Sequence, residues 1–369
     1  MLEQTAAPET AAPETAGPER QPAPAPQRPG SATREGAAIL SVAAELPAGV
    51  LANAELASRL GVSEDWIMSR TGIRERRQAG AEERLSDYAS RAGASALARA
   101  GVAAADLDLV LVATLSQDEL TPNTAPLVAH QLGAERAGAI DVGAACTAFL
   151  SGLALGAAQI ESERAELVLL VGADFVTRLT DYEDKRTAPL FADAAGAVVL
   201  GRGGGGDGAG ERGRGSIGPI VLGADGSHAA TITVSHDERK IRMDGPVVFK
   251  HAVARMSTVT LQAVAGAGLT LAEIDLFVYH QANARITRAL GERLGLPFER
   301  VVDCIETLGN ASAATLPVAL VAAERDGRLR PGARVLLSAF GAGFTWGGGV
   351  IQWGSGGGVA DWGGPERGE

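Results

Sequence analysis

An α/β architecture made of two related halves is the fold class this sequence predicts, and two observations predict it. Between residues 108 and 172, nearly continuous apolar runs of strand length alternate with helical patterns, as expected of sheets covered on both faces. The pattern then returns. Ala100-Gly101-Val102 and Leu107-Asp108-Leu109-Val110-Leu111 match Ala267-Gly268-Leu269 and Ile274-Asp275-Leu276-Phe277-Val278, 167 residues later. Val168-Leu169-Leu170 matches Val335-Leu336-Leu337 at the same spacing, and Asp141 aligns with Asp303 at a spacing of 162. Matched blocks in the same order read as an internal duplication. The halves span about 34–203 and 217–353.

In chain order, residues 1–33 come first, with seven prolines, a doubled Ala-Pro-Glu-Thr unit and no aromatic residue. Too little apolar bulk is present there to offset ordering entropy, so a disordered tail is expected. Residues 108–114 read as a buried strand, 126–132 as part of a helix and 138–142 as a second strand. A long apolar helix follows at about 146–160, then a strand at 166–172. The low-complexity stretch 201–215 predicts a flexible loop, with the boundary between the halves at 204–216. In the second half, strands are expected at 300–304 and 334–339, and a loose Gly-rich end at 354–369.

Composition narrows the function. The chain has 369 residues, 46% hydrophobic and 21% charged, enough for a sizeable core. Its net charge of −11, from 44 acidic and 33 basic residues, lacks the basic footprint of a nucleic-acid binder. Two cysteines, Cys146 and Cys304, rule out a disulfide scaffold and suit a reducing compartment. The opening MLEQTAAPET has neither the basic nor the apolar region of a signal peptide. No apolar run is long enough to span a bilayer, so a cytoplasmic protein without membrane contact is expected.

Duplication makes one comparison useful. Strand 138–142 leads through the small residues Gly143-Ala144-Ala145 to Cys146 at the start of a helix, and strand 300–304 leads to Asn310, also before a helix. The two residues are therefore expected at equivalent places. A helix N-terminus lowers a thiol pKa, so Cys146 is a candidate nucleophile. Cys304, in an apolar strand, reads as a core residue. His280 closes the strand equivalent to 108–113 and becomes a candidate base or donor beside that nucleophile. The remaining histidines form no metal-ligand spacing, so no metal is expected. The segment Phe340-Gly341-Ala342-Gly343-Phe344 reads as a tight turn that exposes a backbone N–H to an oxyanion.

Four motifs now stand together: Cys146 in DVGAACTAF, His280 in HQAN, Asn310 in GNASAA, and FGAGFTWG near the end. They resemble the β-ketoacyl-acyl-carrier-protein synthase III family, of thiolase fold, over about 36–353. Asp65-Trp66-Ile67-Met68-Ser69-Arg70-Thr71-Gly72-Ile73-Arg74-Glu75-Arg76 and Leu190-Phe191-Ala192-Asp193-Ala194-Ala195-Gly196-Ala197 belong to the resemblance. It implies a layered αβαβα core. It implies that Cys146 accepts an acyl group from acyl-CoA, with the backbone N–H of Cys146 and of Ala342 as oxyanion donors. His280 and Asn310 would then stabilise the enolate left when malonyl-acyl-carrier protein loses CO₂. No cofactor is implied beyond these two substrates.

The resemblance also assigns the binding residues. Trp66, Arg70 and Thr71 match the adenine and phosphate end of the coenzyme A tunnel. Gly245, Phe249, Ala282 and Asn283 match its pantetheine channel. Lys185 stands where the family has an adenine-stacking arginine, and the adjacent Arg186 is the better stacker. Lys250 and Arg285 match cations that dock the acyl-carrier protein. Family members are homodimers, and Thr121 matches a residue lent to the partner's acyl pocket, where a small side chain leaves room for longer or branched acyl groups. Two rivals remain: an acyltransferase of the same fold acting on an alcohol or amine, and a catalytically silent binder of acyl-carrier protein. The intact Cys146, His280 and Asn310 set favours condensation over both.

Overall fold

Nine strands form the two main sheets in the computed structural model, which describes residues 36–203 and 215–354, and four short strands form two further pairs, Val50–Ala52 with Glu75–Arg77 and Ile232–Val234 with Ile241–Met243. In the first half the elements are β1 (Ala37–Glu45), α1 (Leu85–Ala100), β2 (Leu109–Ala113), α2 (Thr124–Leu132), β3 (Gly138–Val142), α3 (Ala148–Glu161), β4 (Val168–Phe175) and β5 (Asp193–Arg202). In the second they are β6 (Ser216–Ala224), α4 (Gly245–Gly266), β7 (Leu276–Tyr279), α5 (Ala284–Leu294), α6 (Thr315–Arg325), β8 (Arg334–Gly341) and β9 (Thr345–Gln352). The first sheet has the order β1-β5-β4-β2-β3 and the second β7-β8-β9-β6. In the first, β4-β2 and β2-β3 are parallel while β1-β5 and β5-β4 are antiparallel; in the second, the edge pair β7-β8 is parallel and the rest antiparallel.

The duplication extends to register. Leu109 pairs with Val168, and Leu276 pairs with Val335, so a spacing of 167 carries one registered pair onto the other. The expected strand at 300–304 is an exception. It shrinks to a single parallel bridge between Val301 and Phe277. Residues 302–304 leave the sheet because Asp303 and Cys304 start the short helix Ile305–Leu308, whose Ile305 N–H is accepted by the Asp303 carboxylate. Cys304 is therefore a helix cap and not a strand residue. The loop expected at 201–215 is shorter at its start, since residues 201 and 202 complete β5, and Ser216, placed in the boundary 204–216, opens β6. The expectations for 1–33, 204–214 and 355–369 fall outside the described residues.

Five layers result. Helices α3 and α6 lie between the two sheets, in one core with Phe149, Leu153, Leu170, Val278, Leu316, Leu320 and Leu337. A helix apolar on all sides must be buried, and α3 carries no charge before its last residue. Helices α1 and α2 cover the outer face of the first sheet, where Leu85, Tyr88, Val128 and Phe175 pack. Helices α4 and α5 cover the second through Met256, Phe277, Tyr279 and Leu290. Among the described residues no helix is long and apolar enough to cross a membrane.

Candidate active site

The two central helices are each preceded by a short 3-10 turn, Ala145–Thr147 before α3 and Ser312–Ala314 before α6. These turns are 167 residues apart and pack against each other. Ala145 (φ 46°) and Ser312 (φ 49°) both take the left-handed conformation that non-glycine residues avoid. The structural equivalent of Cys146 is thus Ala313, and the expected equivalence of Cys146 with Asn310 is off by three residues. That comparison implied a spacing of 164, near the 162 of Asp141 and Asp303, whereas the turns keep the sheet's spacing of 167.

A cavity of about 770 Å³ reaches down to this junction, and Cys146, His280 and Asn310 all line it. Asn310 is stitched between the halves: its N–H donates to the Leu190 carbonyl, and its carbonyl accepts from Ala192. Its side-chain Oδ1 accepts from the Ser312 N–H at 2.9 Å, which turns Nδ2 into the cavity-side donor. His280 is buried, and its Nδ1 lies 2.6 Å from the Thr315 hydroxyl. Burial pushes the imidazole down to about 4, so it is neutral at pH 7. The Thr315 hydroxyl also reaches the Ser312 carbonyl at 2.9 Å.

Cys146 differs from expectation. The helix N-terminus was expected to lower its thiol pKa, but burial pushes the thiol up to about 11. The Asp174 carboxylate adds to the rise, and the Ser312 hydroxyl opposes it. Enclosure in low dielectric outweighs the end of a short turn. Backbone packs flush against this residue. A Cβ added to Gly341 would stand 3.0 Å from the Cys146 nitrogen and 3.2 Å from its Cβ. The turn after β8 is tied to the cysteine turn, since the Thr345 hydroxyl lies 2.8 Å from that of Thr147 and 3.0 Å from the Ala342 carbonyl. Ala342 lines the cavity beside Gly341 without positive φ.

Of the binding residues, Trp66, Arg70, Thr71, Lys185, Arg186, Gly245, Phe249, Ala282, Asn283 and Arg285 line the same cavity. Trp66 and Arg70 sit on a helix, Glu64–Thr71, capped by Ser63, and the Arg70 guanidinium lies 4.3 Å from the indole centroid. Two side chains are less free than expected. The Thr71 hydroxyl donates to the Ile67 carbonyl and accepts from Ile73, and the Asn283 amide bonds the Arg70 carbonyl and the Arg285 N–H. Asn283 thereby joins two cavity walls. The Arg186 guanidinium is exposed and is held in its own plane by Asp184. Arg285 lies over the Phe249 ring, on the cavity wall, while Lys250 and Thr121 are exposed and outside the lining. Among the described residues no cluster of three or more His, Cys, Asp or Glu is arranged to hold a metal.

Sequence reasoning missed Ser312, Thr315, Asp174 and Gly341. Ser312 lay inside the quoted GNASAA motif, and Asp174 showed as a charge closing an apolar strand. Neither signal names a partner.

Known proteins can now be compared. Residues 140–226 match the family model described as 3-oxoacyl-[acyl-carrier-protein] synthase III, and 264–353 match that of its C-terminal part. The chain is 42% identical over 325 residues to a β-ketoacyl-[acyl-carrier-protein] synthase III of Granulibacter bethesdensis, covering 85% of this chain and 98% of the relative. It belongs to the β-ketoacyl-[acyl-carrier-protein] synthase III family. A Streptomyces coelicolor member, synthase III 2, is 41% identical over 87% of this chain and 94% of its own. The solved synthase III of Thermus thermophilus superposes with a TM-score of 0.81 at 41% identity, covering 86% of this chain and 99% of that one. The priming β-ketosynthase of a polyketide pathway superposes at 0.80 and 34% identity, covering 88% and 99%. The thiolase-like layering of this family is the fold described above.

Proposed function

We propose that this synthase III family member starts acyl chains by decarboxylative condensation. An acyl-CoA starter passes its acyl group to Cys146. Malonyl-acyl-carrier protein then condenses with it to give 3-oxoacyl-acyl-carrier protein, CoA and CO₂. The observation that carries the reading is the shared cavity: Cys146, His280, Asn310 and the Gly341-Ala342 backbone line its depth, and Trp66 with Arg70 lines its outer part.

In the first half-reaction the Cys146 sulfur attacks the thioester carbonyl, and the carbon–sulfur bond to CoA breaks. The backbone N–H groups of Cys146 and Ala342 face the developing oxyanion. In the second, loss of CO₂ leaves an enolate at the malonyl thioester oxygen. Asn310 Nδ2 and His280 Nε2 donate to it. With the ring neutral, Nε2 carries the proton when Thr315 turns its hydroxyl toward Nδ1 and away from the Ser312 carbonyl. An asparagine suits this place, since it donates without adding charge against the malonyl carboxylate. The enolate carbon then attacks the acyl-Cys146 thioester.

The same reading gives the protein a homodimeric state. It is supported by the free edge of β3, which exposes Ile140 (54%), and by the exposed Leu155 and Leu222. Thr121 would then enter the partner's acyl pocket and admit longer or branched groups. Lys250 and Arg285 would meet the acidic carrier, in a cytoplasmic setting.

Intact-protein mass spectrometry with acetyl-, isobutyryl- and decanoyl-CoA tests the proposal in wild type and Cys146→Ala. An acyl adduct absent from the variant and discharged by malonyl-acyl-carrier protein with CO₂ release is the expected result. Discharge only by an alcohol or amine would replace condensation with simple acyl transfer.

A further inference from the structure

Ser312 sits where the three catalytic candidates meet. Its N–H holds the Asn310 amide, its carbonyl accepts from Thr315, which in turn contacts His280, and its side chain lines the cavity next to Cys146. The residue is 1% exposed and held at φ 49°. Strain of this kind concentrates at functional sites. Its hydroxyl is buried yet completes no regular hydrogen bond. Burial pushes both the Cys146 thiol and the Asp174 carboxyl up, and the Ser312 hydroxyl opposes the rise at each.

Asp174 closes β4 and is fully buried. Among the described residues it joins no ion pair. Its Oδ1 accepts from the Thr114 hydroxyl, the Leu115 N–H and the Ser116 hydroxyl. Its Oδ2 accepts only from the Ala313 N–H, at 3.1 Å, and so has a lone pair to spare. Releasing the thiol proton to water would leave two adjacent anions in a low-dielectric site. Passing it to Asp174 leaves one, which is far less costly.

We propose that Ser312 relays the Cys146 thiol proton to Asp174 during acylation. As the sulfur bonds to the acyl carbon, the S–H bond breaks and its proton moves to Ser312 Oγ. The Ser312 proton moves to Asp174 Oδ2. The carbon–sulfur bond to CoA breaks, and the departing CoA sulfur takes the proton back along the same route. Acyl-CoA and thiol thus become acyl-enzyme and CoA thiol, with no net proton exchanged.

The turns 145–147 and 312–314, the loop 114–116 and the segment 340–342 carry no other titratable group, while Asp193, at the start of β5 beside β4 and pushed up to about 6 by burial, is bonded to the Ala79 N–H and to Thr177. His280, at the end of β7, is neutral and has its Nδ1 occupied. Arg70, Lys185, Arg186 and Arg285 line the cavity but are exposed, at its outer end.

The relay rests on Cys146 being the acylated residue, and the test separates the two claims. Single-turnover acylation by acetyl- and isobutyryl-CoA is followed by intact mass and peptide mapping from pH 5.5 to 9, without carrier protein. In wild type the rate is nearly flat with pH, because the proton stays inside. Ser312→Ala slows acylation at pH 7 by about tenfold or more, and its rate climbs about tenfold per pH unit as solvent must ionise the thiol. Asp174→Asn shows the same slope. Should it fail to fold, Ser312→Ala with an unchanged melting temperature carries the test alone. A Cys146 adduct whose pH slope is the same in wild type and Ser312→Ala, whatever the rate, overturns the relay. No adduct on Cys146 in wild type overturns the nucleophile assignment first, and the relay with it.

Discussion

Asn310→Asp separates the two half-reactions. Asn310 Oδ1 accepts from the Ser312 N–H at 2.9 Å, and a carboxylate oxygen accepts that bond equally well. The substitution therefore preserves the local geometry and removes only the Nδ2–H donor. Losing one preorganised donor to a developing oxyanion costs about 2.7–4 kcal/mol, or roughly 10²–10³ in rate. The new carboxylate, buried like Asn310, also opposes the malonyl carboxylate, so the loss at pH 7.5 should sit at the upper end. Acylation does not use this donor. CoA release in a single turnover without carrier protein should stay within about threefold of wild type. Release of labelled CO₂ from malonyl-acyl-carrier protein should fall by the full factor, and recover partly as the pH drops and the carboxyl becomes a donor again. Equal losses in both stages, or a CO₂ rate within tenfold of wild type, would refute the assignment of Asn310 to the enolate.

Three further outcomes follow from the same geometry. Gly341→Ala places a methyl 3.0 Å from the Cys146 nitrogen, so the oxyanion donor must shift by a few tenths of an ångström; acylation should fall by about tenfold with thermal stability little changed, and a wild-type acylation rate would remove the close approach from the mechanism. His280 is pushed down to about 4 when folded against an ordinary 6.5, so the unfolded chain holds a proton there that the native protein lacks. Stability from this group is lost as pH falls from about 6.5 towards 4, about 2 kcal/mol between pH 7 and 5. Asp193, pushed up to about 6 by burial, acts oppositely over the same window. Only the difference between wild type and His280→Ala in urea unfolding at the two pH values isolates the histidine, and a pH-independent difference would contradict its neutral burial. Arg76 is fully buried and donates to the Leu51 and Pro189 carbonyls and to Asn53 Oδ1. Arg76→Ala strands these acceptors and should cost about 3–5 kcal/mol in urea unfolding, a reasoning that a loss under 1 kcal/mol would undo.

The strands of the two sheet centres were legible because strands buried on both faces are written as unbroken apolar runs, as in Leu109–Ala113 and Val168–Phe175. The same rule misread 300–304. That segment is apolar, but it meets its sheet at one bridge, since whether a run becomes a strand depends on where its neighbour's backbone ends. That Cys146, His280 and Asn310 belong to one site was legible through motifs, and all three line one cavity. What the motifs could not declare is what the fold brings beside them. Ala313 bonds Asp174 across 139 residues, and Gly341 meets the Cys146 backbone across 195. The duplicated turns explain why these meetings are possible. Two copies of one left-handed turn, at Ala145 and Ser312, face each other across the seam between the halves. One copy carries Cys146 after its strained residue. In the other, the strained residue itself carries a hydroxyl, and the position equivalent to the cysteine is an alanine whose N–H holds Asp174. The second copy thus sets a buried hydroxyl, and a backbone N–H bonded to Asp174, against the turn that carries Cys146, which neither half could have built alone.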